Sequence, residues 1–184
     1  MINLLVLPKK YNMSLFVVDV ESDGGLLGHH NMVCFGAVKL TPELDTTFYG
    51  KTKSIYPNYD PSALAVSGFS REEHEEFDDP EKVMREFGEW LKANSKGRPI
   101  LISDNNGYDA SWINWYFLTY IGKNPFGWSS RRIGDLYCGM MNDTWAGWKK
   151  LRTTKHTHNP VDDAMGNAEA LLKMKELGLK INLK

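Results

Sequence analysis

The stretch that decides the fold is "SLFVVDVE", residues 14–21. This β-branched apolar run ends in acidic residues and predicts a central strand buried on both faces. Asp19 and Glu21 are two residues apart, so alternation along the strand puts both carboxylates on one face of the sheet. A buried carboxylate is costly unless it is paired or bound to a metal. The stretch therefore indicates a metal site at a strand end, with a solvated strand end as the alternative.

The segments that follow alternate between strand and helix patterns. Two further apolar runs joined by a turn predict an antiparallel meander with the first strand. Proline start signals and apolar residues at helical spacing predict helices later in the chain. The order predicts an α/β fold, with a mixed five-stranded sheet flanked by helices. The predicted strands cover 31–40, 46–55, 98–103 and the start of 131–141, the helices cover 78–94, 110–120 and a segment beginning after Asn159, and 104–109 is a predicted turn.

Composition limits the domain count and the class of protein. A chain of 184 residues with 42% hydrophobic content suits one domain, expected over 13–184, with 1–12 as a disordered extension or a misplaced start. The net charge of −1 confines any nucleic-acid surface to local clusters. Cys34 and Cys138 are expected to be reduced, as in a cytoplasmic protein. No apolar run approaches the ~20 residues that cross a bilayer, so we expect a soluble protein without a membrane partner.

Two more acidic residues follow other predicted structural boundaries. Asp109 comes after the predicted strand at 98–103, and Asp163 closes "HTHNPVDD", where Asn159 and Pro160 are typical of a helix start. Acids at a helix start are also favoured for structural reasons alone, so that interpretation stays open for both aspartates. In α/β folds, however, the ends of neighbouring strands and the helices after them converge on one edge. The four acids could therefore meet.

Such a cluster would have a defined chemistry. Four carboxylates repel each other unless divalent cations neutralise them, and Mg²⁺ and Mn²⁺ prefer oxygen ligands. Two such ions ~3.5–4 Å apart would clamp the attacking and leaving oxygens of an in-line phosphoryl displacement. His158 has a reference pKa of ~6.5 and is suited to take the proton of an attacking water. We assign structural roles to His156 and Asp162.

These residues resemble the motifs of the DEDDh branch of the DnaQ-like (RNase T-like) 3′–5′ exonucleases. Motif I, D-x-E, is matched by "DVE" at 19–21, motif II by Asp109, and the H-x-x-x-x-D of motif III by "HNPVDD" at 158–163. The segment "ALAVSGFSREE" resembles the V-H-G-I-T segment, although Ser67 stands where histidine is often found, and Asp104 replaces the usual histidine of motif II. The wording "THNPVDDAMGNAEALL" is most similar to the small RNase AS-like exoribonucleases.

The resemblance implies a ribonuclease H-like fold and a metal-dependent nuclease. It implies hydrolysis of single-stranded RNA, or of an RNA 3′ overhang, from the 3′ end to nucleoside 5′-monophosphates, by a homodimer that binds two Mg²⁺ ions for which Mn²⁺ can substitute. A single-stranded DNA 3′–5′ exonuclease shares every motif, and a catalytically weak nucleic-acid-binding module would keep the fold. The implied ligands are Asp19, Glu21, Asp109 and Asp163, with His158 as general base.

Two stretches interleave aromatic and cationic residues as single-strand binders do: "FGWSSRR" at 126–132 and "WAGWKKLRTTKH" at 145–156. Core tryptophans and solvated cations explain the same pattern equally well. Gly24 would let the backbone approach a terminal ribose, although a simple turn also explains it. The candidate substrate-binding residues are Ser22, Gly24, Val66, Phe69, Arg131, Arg132, Trp148 and Lys155, with Lys149 and Arg152 as further cations that could guide a strand.

Overall fold

A computed structural model describes residues 13–183 and contains one mixed five-stranded sheet in the order β3-β2-β1-β4-β5. The extension expected over 1–12 lies outside the described residues. β1, β2 and β3 form the predicted antiparallel meander, and β4 and β5 continue the sheet in parallel with β1. This confirms the mixed sheet and the central position of the first strand. The strands are β1 Met13–Ser22, β2 Met32–Lys39, β3 Thr47–Lys51, β4 Arg98–Ser103 and β5 Arg131–Arg132.

Helices cover both faces of the sheet. The predicted helices are confirmed, and two short ones, α1 and α2, form in the segment that resembles V-H-G-I-T, where none was predicted. A π-helical segment, Phe117–Ile121, extends α4, and a 3₁₀ turn, Lys149–Leu151, precedes the last helix. The helices are α1 Pro61–Val66, α2 Arg71–Glu75, α3 Pro80–Asn94, α4 Asn106–Tyr116, α5 Ile133–Met141 and α6 Pro160–Glu176.

The alternation of β1 directs its acids towards α6. Phe16 and Val18 pack into the core that contains α3 and α4, whereas Leu15 and Val17 pack against α5 and α6 on the other face. Asp19 has the parity of Leu15 and Val17 and therefore belongs to the α6 face. The two-residue period of the strand thus places the acids beside α6, the helix that carries Asp163.

Gly36 of β2 allows α6 to come close to this edge. It pairs with Asp19 across the β1–β2 ladder, and a Cβ atom at this position would collide with the backbone of Pro160. Asn159 caps α6, since its Oδ1 atom accepts a hydrogen bond from Val161 N at 3.0 Å. The predicted cap is confirmed, and the missing side chain at position 36 brings the start of α6 onto Asp19.

The turn predicted at 104–109 is wrong in part, because α4 begins inside it. The backbone amides of Tyr108 and Asp109 donate to the carbonyl oxygen of Asn105 at 2.7 and 2.9 Å, which closes the first helical turn. Gly107 lowers helix propensity, but its position in the first turn makes it tolerable. Asp109 consequently lies within the first turn of α4 and is not its cap.

Two smaller expectations concern the cysteines and the membrane. Cys34 and Cys138 are both free, which confirms that they are not joined in a disulfide. Burial raises the pKa of the Cys34 thiol to about 12, so this thiol is unreactive near neutral pH. Among the described residues, no helix combines the length and the apolar character that a bilayer crossing requires.

Candidate active site

Three acids from two elements meet at the edge of the sheet. One carboxylate oxygen from each of Asp19, Glu21 and Asp163 lies within 4.8 Å of the other two. β1 supplies the first two on one face, and the first turn of α6 supplies the third. The predicted convergence is therefore observed for these three residues.

Asp109, the fourth acid, borders the same cleft from the first turn of α4. It lies outside the group of three, but its charge helps to raise the pKa of Asp19. Its side chain is 2% exposed, and its Oδ2 atom finds no hydrogen-bond partner within the described part of the chain. A buried oxygen without a partner is costly, and a cation would satisfy it.

The electrostatics of the cluster favour protonation. Burial, followed by the charge of Asp163, raises the pKa of Glu21 to about 7. Burial is also the main cause that raises the pKa of Asp109 to about 7. The pKa of Asp19 is raised well above its ordinary value by burial and then by its acidic neighbours. Bound divalent cations would reverse this tendency, and an all-oxygen donor set fits Mg²⁺ or Mn²⁺.

His158 stands at the mouth of the cleft. Its backbone has a positive φ of 63°, and its amide donates to Asp163 Oδ2 at 3.0 Å. Its Nδ1 atom lies 3.6 Å from Glu21 Oε1, while the imidazole remains exposed. The side chain is thus beside the acids and accessible to water, as the role of general base requires.

Two residues near Asp163 have positions that the sequence analysis did not anticipate. His156, assigned a structural role, lines the cleft, and its Nδ1 atom lies 2.5 Å from Asp163 Oδ2. Arg152, expected to guide a strand, is mostly buried and pairs through Nη2 with Asp163 Oδ1 at 2.9 Å. The H-x-H spacing could have indicated that His156 lies beside the general base, because alternate residues of an extended segment share a side.

The cleft has a volume of about 670 Å³. Of the predicted substrate-binding residues, Val66 and Arg132 line it, and Tyr108 is a further lining residue that was not predicted. Ser22 is buried beneath it, where its hydroxyl contacts that of Tyr108. Gly24 has a packing explanation, because a Cβ atom there would lie 2.5 Å from the ring of His30. Lys155 is exposed on the loop before His156.

Three other predicted substrate contacts lie elsewhere. Trp148 is 4% exposed and packs into the core that contains α5 and α6, so its indole cannot stack on a base. Phe69 packs edge-on against Phe77, with ring centroids 4.9 Å apart. Arg131 lines a separate groove beside α5 and α6. The structure thus makes Trp148 a core residue, because residue type alone does not distinguish a core aromatic from a stacking platform, and it places Phe69 and Arg131 outside the cleft lining.

Lys149, one of the strand-guiding candidates, is exposed and pairs with Asp104 Oδ2 at 3.1 Å. Asp104 occupies the position at which motif II usually has histidine. The pair links the start of α4 to the 3₁₀ turn before α6. The lysine therefore has a structural partner in this fold.

Similarity to known proteins identifies the family of the chain. No family model matches it. The 3′-5′ DNA exonuclease Cap18 of Escherichia coli is 32% identical over 158 residues, which cover 84% of this chain and 82% of that protein. The nuclease domain of 3′hExo, described as a DEDDh family member bound to rAMP, matches 97% of this chain and 98% of its own, with a TM-score of 0.70 and 16% identity. E. coli Exonuclease I with a dA16 oligonucleotide matches 90% of this chain and 41% of its own, at a TM-score of 0.64 and 16% identity.

The solved structures establish the fold, which is the ribonuclease H-like exonuclease fold. The E. coli relative establishes the family by its identity and coverage. Fold and cluster together define a hydrolase of phosphodiester bonds. The chain belongs to the DEDDh 3′–5′ exonucleases.

Proposed function

We propose that the protein removes nucleoside 5′-monophosphates from the 3′ end of single-stranded DNA by a two-metal mechanism. The observation that carries this proposal is the cluster of Asp19, Glu21 and Asp163 oxygens within 4.8 Å of one another. The buried, unpartnered Oδ2 atom of Asp109 adds a fourth ligand at the same cleft. A module that only binds nucleic acid could do so with neutral side chains. It would gain nothing from burying several carboxylates together, which costs free energy.

The four carboxylates would hold the ions. Asp19 would be the central ligand, because the charges of the other three acids all add to the effect of burial in raising the pKa of its carboxyl group. When bound, divalent cations would stabilise charge on the phosphoryl oxygens and lower the pKa of a coordinated water. β1 and α6 fix the backbone positions of three ligands, whereas the Asp163 carboxylate would have to exchange its contacts with Arg152 or His156 for an ion. The same donor set makes oxygen-preferring ions the expected cofactors, with Mg²⁺ as the physiological ion and Mn²⁺ as a substitute.

The remaining residues of the cleft have separate roles. His158 accepts the proton of the attacking water, because it is exposed and adjacent to Glu21. Arg132 faces the cleft and would contact a backbone phosphate, with its guanidinium held by Asp135 at 3.0 Å. Tyr108, linked to Ser22, lines the same cleft and would contact the terminal sugar.

The name of the E. coli relative supports DNA as the polymer. The resemblance of the motif III segment to RNase AS-like enzymes supports RNA, which is the second candidate. A protein distinguishes the two polymers through the 2′-hydroxyl. The homodimer and the cytoplasmic location remain predictions.

The test compares 5′-labelled single-stranded DNA and RNA of one sequence with Mg²⁺, Mn²⁺, Zn²⁺ or EDTA. Zn²⁺ is included because a zinc-bound form of E. coli Exonuclease I is among the similar structures. We expect a ladder that shortens from the 3′ end, faster on DNA, and none in EDTA. Faster degradation of RNA would select the second candidate, and no ladder with either polymer under any ion would refute the proposal.

Two adjacent aspartates provide a matched pair of variants. Asp163→Asn should abolish the ladder, whereas Asp162→Asn should leave it unchanged, because Asp162 is exposed and, within residues 13–183, its carboxylate accepts only from Thr157 Oγ1, at 3.1 Å. His158→Ala should slow degradation by about 10²–10⁴-fold while the ions still bind. Equal activity of the two aspartate variants would remove the assigned ligand role.

A further inference from the structure

A second groove continues from the active cleft along α4. Its volume is about 300 Å³, at the lower end of the range for small-molecule sites. Asn106 and Gly107, in the first turn of α4, line both the groove and the cleft. On the opposite side, Trp128 of the preceding loop lines the groove, and Arg132 of β5 lines the cleft. The groove and the cleft therefore lie side by side at the start of α4.

Trp128 is 84% exposed, so the core does not require its indole. The loop that carries it is nevertheless firmly attached on both sides. Before it, Arg98 Nη2 donates to the carbonyl oxygen of Phe126 at 2.9 Å, and the Phe126 ring is buried in the core. After it, Asn106 Nδ2 donates to Ser130 Oγ at 2.8 Å. The loop that carries the indole is thus anchored on both sides of Trp128, which lines the groove.

The lining of the groove matches a nucleobase. Its apolar part comes from Leu101 and Phe126, and its polar part includes Asn114, Ser111 and Ser129. Asn124 also lines the groove, but its amide is engaged with Asn114 Oδ1 at 3.1 Å and with the loop backbone. A base presents a flat π face for stacking and a polar edge for hydrogen bonds, and indoles stack on every base type. The groove is lined by no acidic side chain in the described part of the chain, so a phosphodiester strand meets no repulsion there.

We propose that this groove binds a nucleobase upstream of the 3′-terminal nucleotide, stacked on Trp128. The inference rests on the proposed function and deepens it, because it makes affinity depend on strand length. A nucleoside 5′-monophosphate, which has no upstream base, gains nothing from the groove. A longer strand gains the stacking interaction, which corresponds to roughly tenfold in the dissociation constant.

The test measures binding of 5′-fluorescein single-stranded oligonucleotides by anisotropy, with Ca²⁺ in place of Mg²⁺ to suppress cleavage. Trp128→Ala should weaken binding of a 12-mer about tenfold and reduce the gain in affinity from the 5′-labelled mononucleotide to the 12-mer. Trp128→Phe should retain most of that gain. Trp145→Ala is the matched control, because Trp145 is 92% exposed and lines neither the groove nor the cleft, and it should bind as the wild type does.

The outcomes separate this inference from the proposed function. A wild-type protein that degrades oligonucleotides while Trp128→Ala binds them normally would refute the groove alone. A wild-type protein that cleaves nothing, but binds less well after Trp128→Ala, would refute the exonuclease proposal and keep the groove. Equal losses in Trp128→Ala and Trp145→Ala, or no binding by the wild type, would overturn the groove. Circular dichroism of each variant confirms that it is folded.

Discussion

Two aspartates four residues apart, the partly buried Asp19 and the fully buried Asp23, lie in opposite electrostatic environments. Asp23 is fully buried, and both of its oxygens accept hydrogen bonds from Asn31, at 2.6 Å from the backbone amide and 2.7 Å from Nδ2. Arg71 adds a guanidinium contact at 3.2 Å. The pKa of Asp19 is instead raised by burial and then by the charges of Asp109, Asp163 and Glu21.

The difference separates a structural carboxylate from a functional one. The contacts of Asp23 neutralise its charge, and its ion pair with Arg71 connects the loop after β1 to α2. Arg71 also donates to the carbonyl oxygen of Tyr56 at 3.1 Å. It concentrates negative charge at Asp19, beyond what the single guanidinium of Arg152 can balance. Burial alone therefore does not mark a site, whereas burial among like charges does.

The largest effect should come from the functional carboxylate. Asp19→Asn keeps the shape of the side chain but removes a ligand, so we expect activity to fall by roughly 10³-fold, corresponding to several kcal/mol of transition-state stabilisation. Its free energy of unfolding in EDTA should not decrease, because a like charge has been removed. Exonuclease rates and urea titrations check both, with the exposed Asp45→Asn as control. A destabilised Asp19→Asn would assign this residue to the structural class.

The structural carboxylate should behave in the opposite way. Asp23→Ala removes the buried acceptor of both Asn31 groups and one of the two carboxylate partners of Arg71, which keeps Glu75, so we expect the free energy of unfolding to fall by about 3–5 kcal/mol. Divalent ions should not restore it. Urea unfolding measures the change, and Lys82→Ala, at an exposed helix pair, should show none. A loss that Mg²⁺ repairs would contradict the separation of the two regions.

Metal ions should stabilise the protein through the acidic cluster and not through Asp23. At an ion concentration about 100 times the dissociation constant, the free energy of unfolding should rise by about 2.7 kcal/mol in the wild type. The rise should be much smaller in Asp19→Asn. Thermal unfolding with MgCl₂, against NaCl of equal ionic strength, tests this. An equal rise in both proteins would place the bound ion elsewhere.

The smallest effect concerns the pH dependence of the metal-free protein. The pKa of Glu21 rises from 4.5 to about 7 on folding, and that of Asp109 from 3.8 to about 7. At pH values between the ordinary and the raised pKa, the folded state binds more protons than the unfolded state. The stability that these two groups contribute is therefore fully present below the ordinary pKa and is lost as pH rises towards 7. Urea titrations in EDTA from pH 4 to 8 should show this decline, and Glu21→Gln should flatten it. A rise in stability across that window would exclude the repulsion.

Much of the fold was predictable because it depends on local patterns. The apolar run at 14–21 predicted the central strand, and Asn159 with Pro160 predicted the start of α6, since strand burial and helix capping are short-range. The start of α4 and the two short helices were missed, because glycine and polar residues in a first turn resemble a loop. Trp148 was misassigned because an indole suits a core and a stacking platform equally well.

By itself, the sequence determined the strand parity of Asp19 and Glu21, the helix that presents Asp163 and the family to which the motifs point. Only the tertiary structure decided that Asp23 is neutralised while Asp19 is not, that His156 faces the cleft and that Trp128 stands exposed beside it. The physical reason is range. Strand alternation and capping act within a few residues, whereas charge compensation and exposure depend on side chains that lie far apart in the sequence.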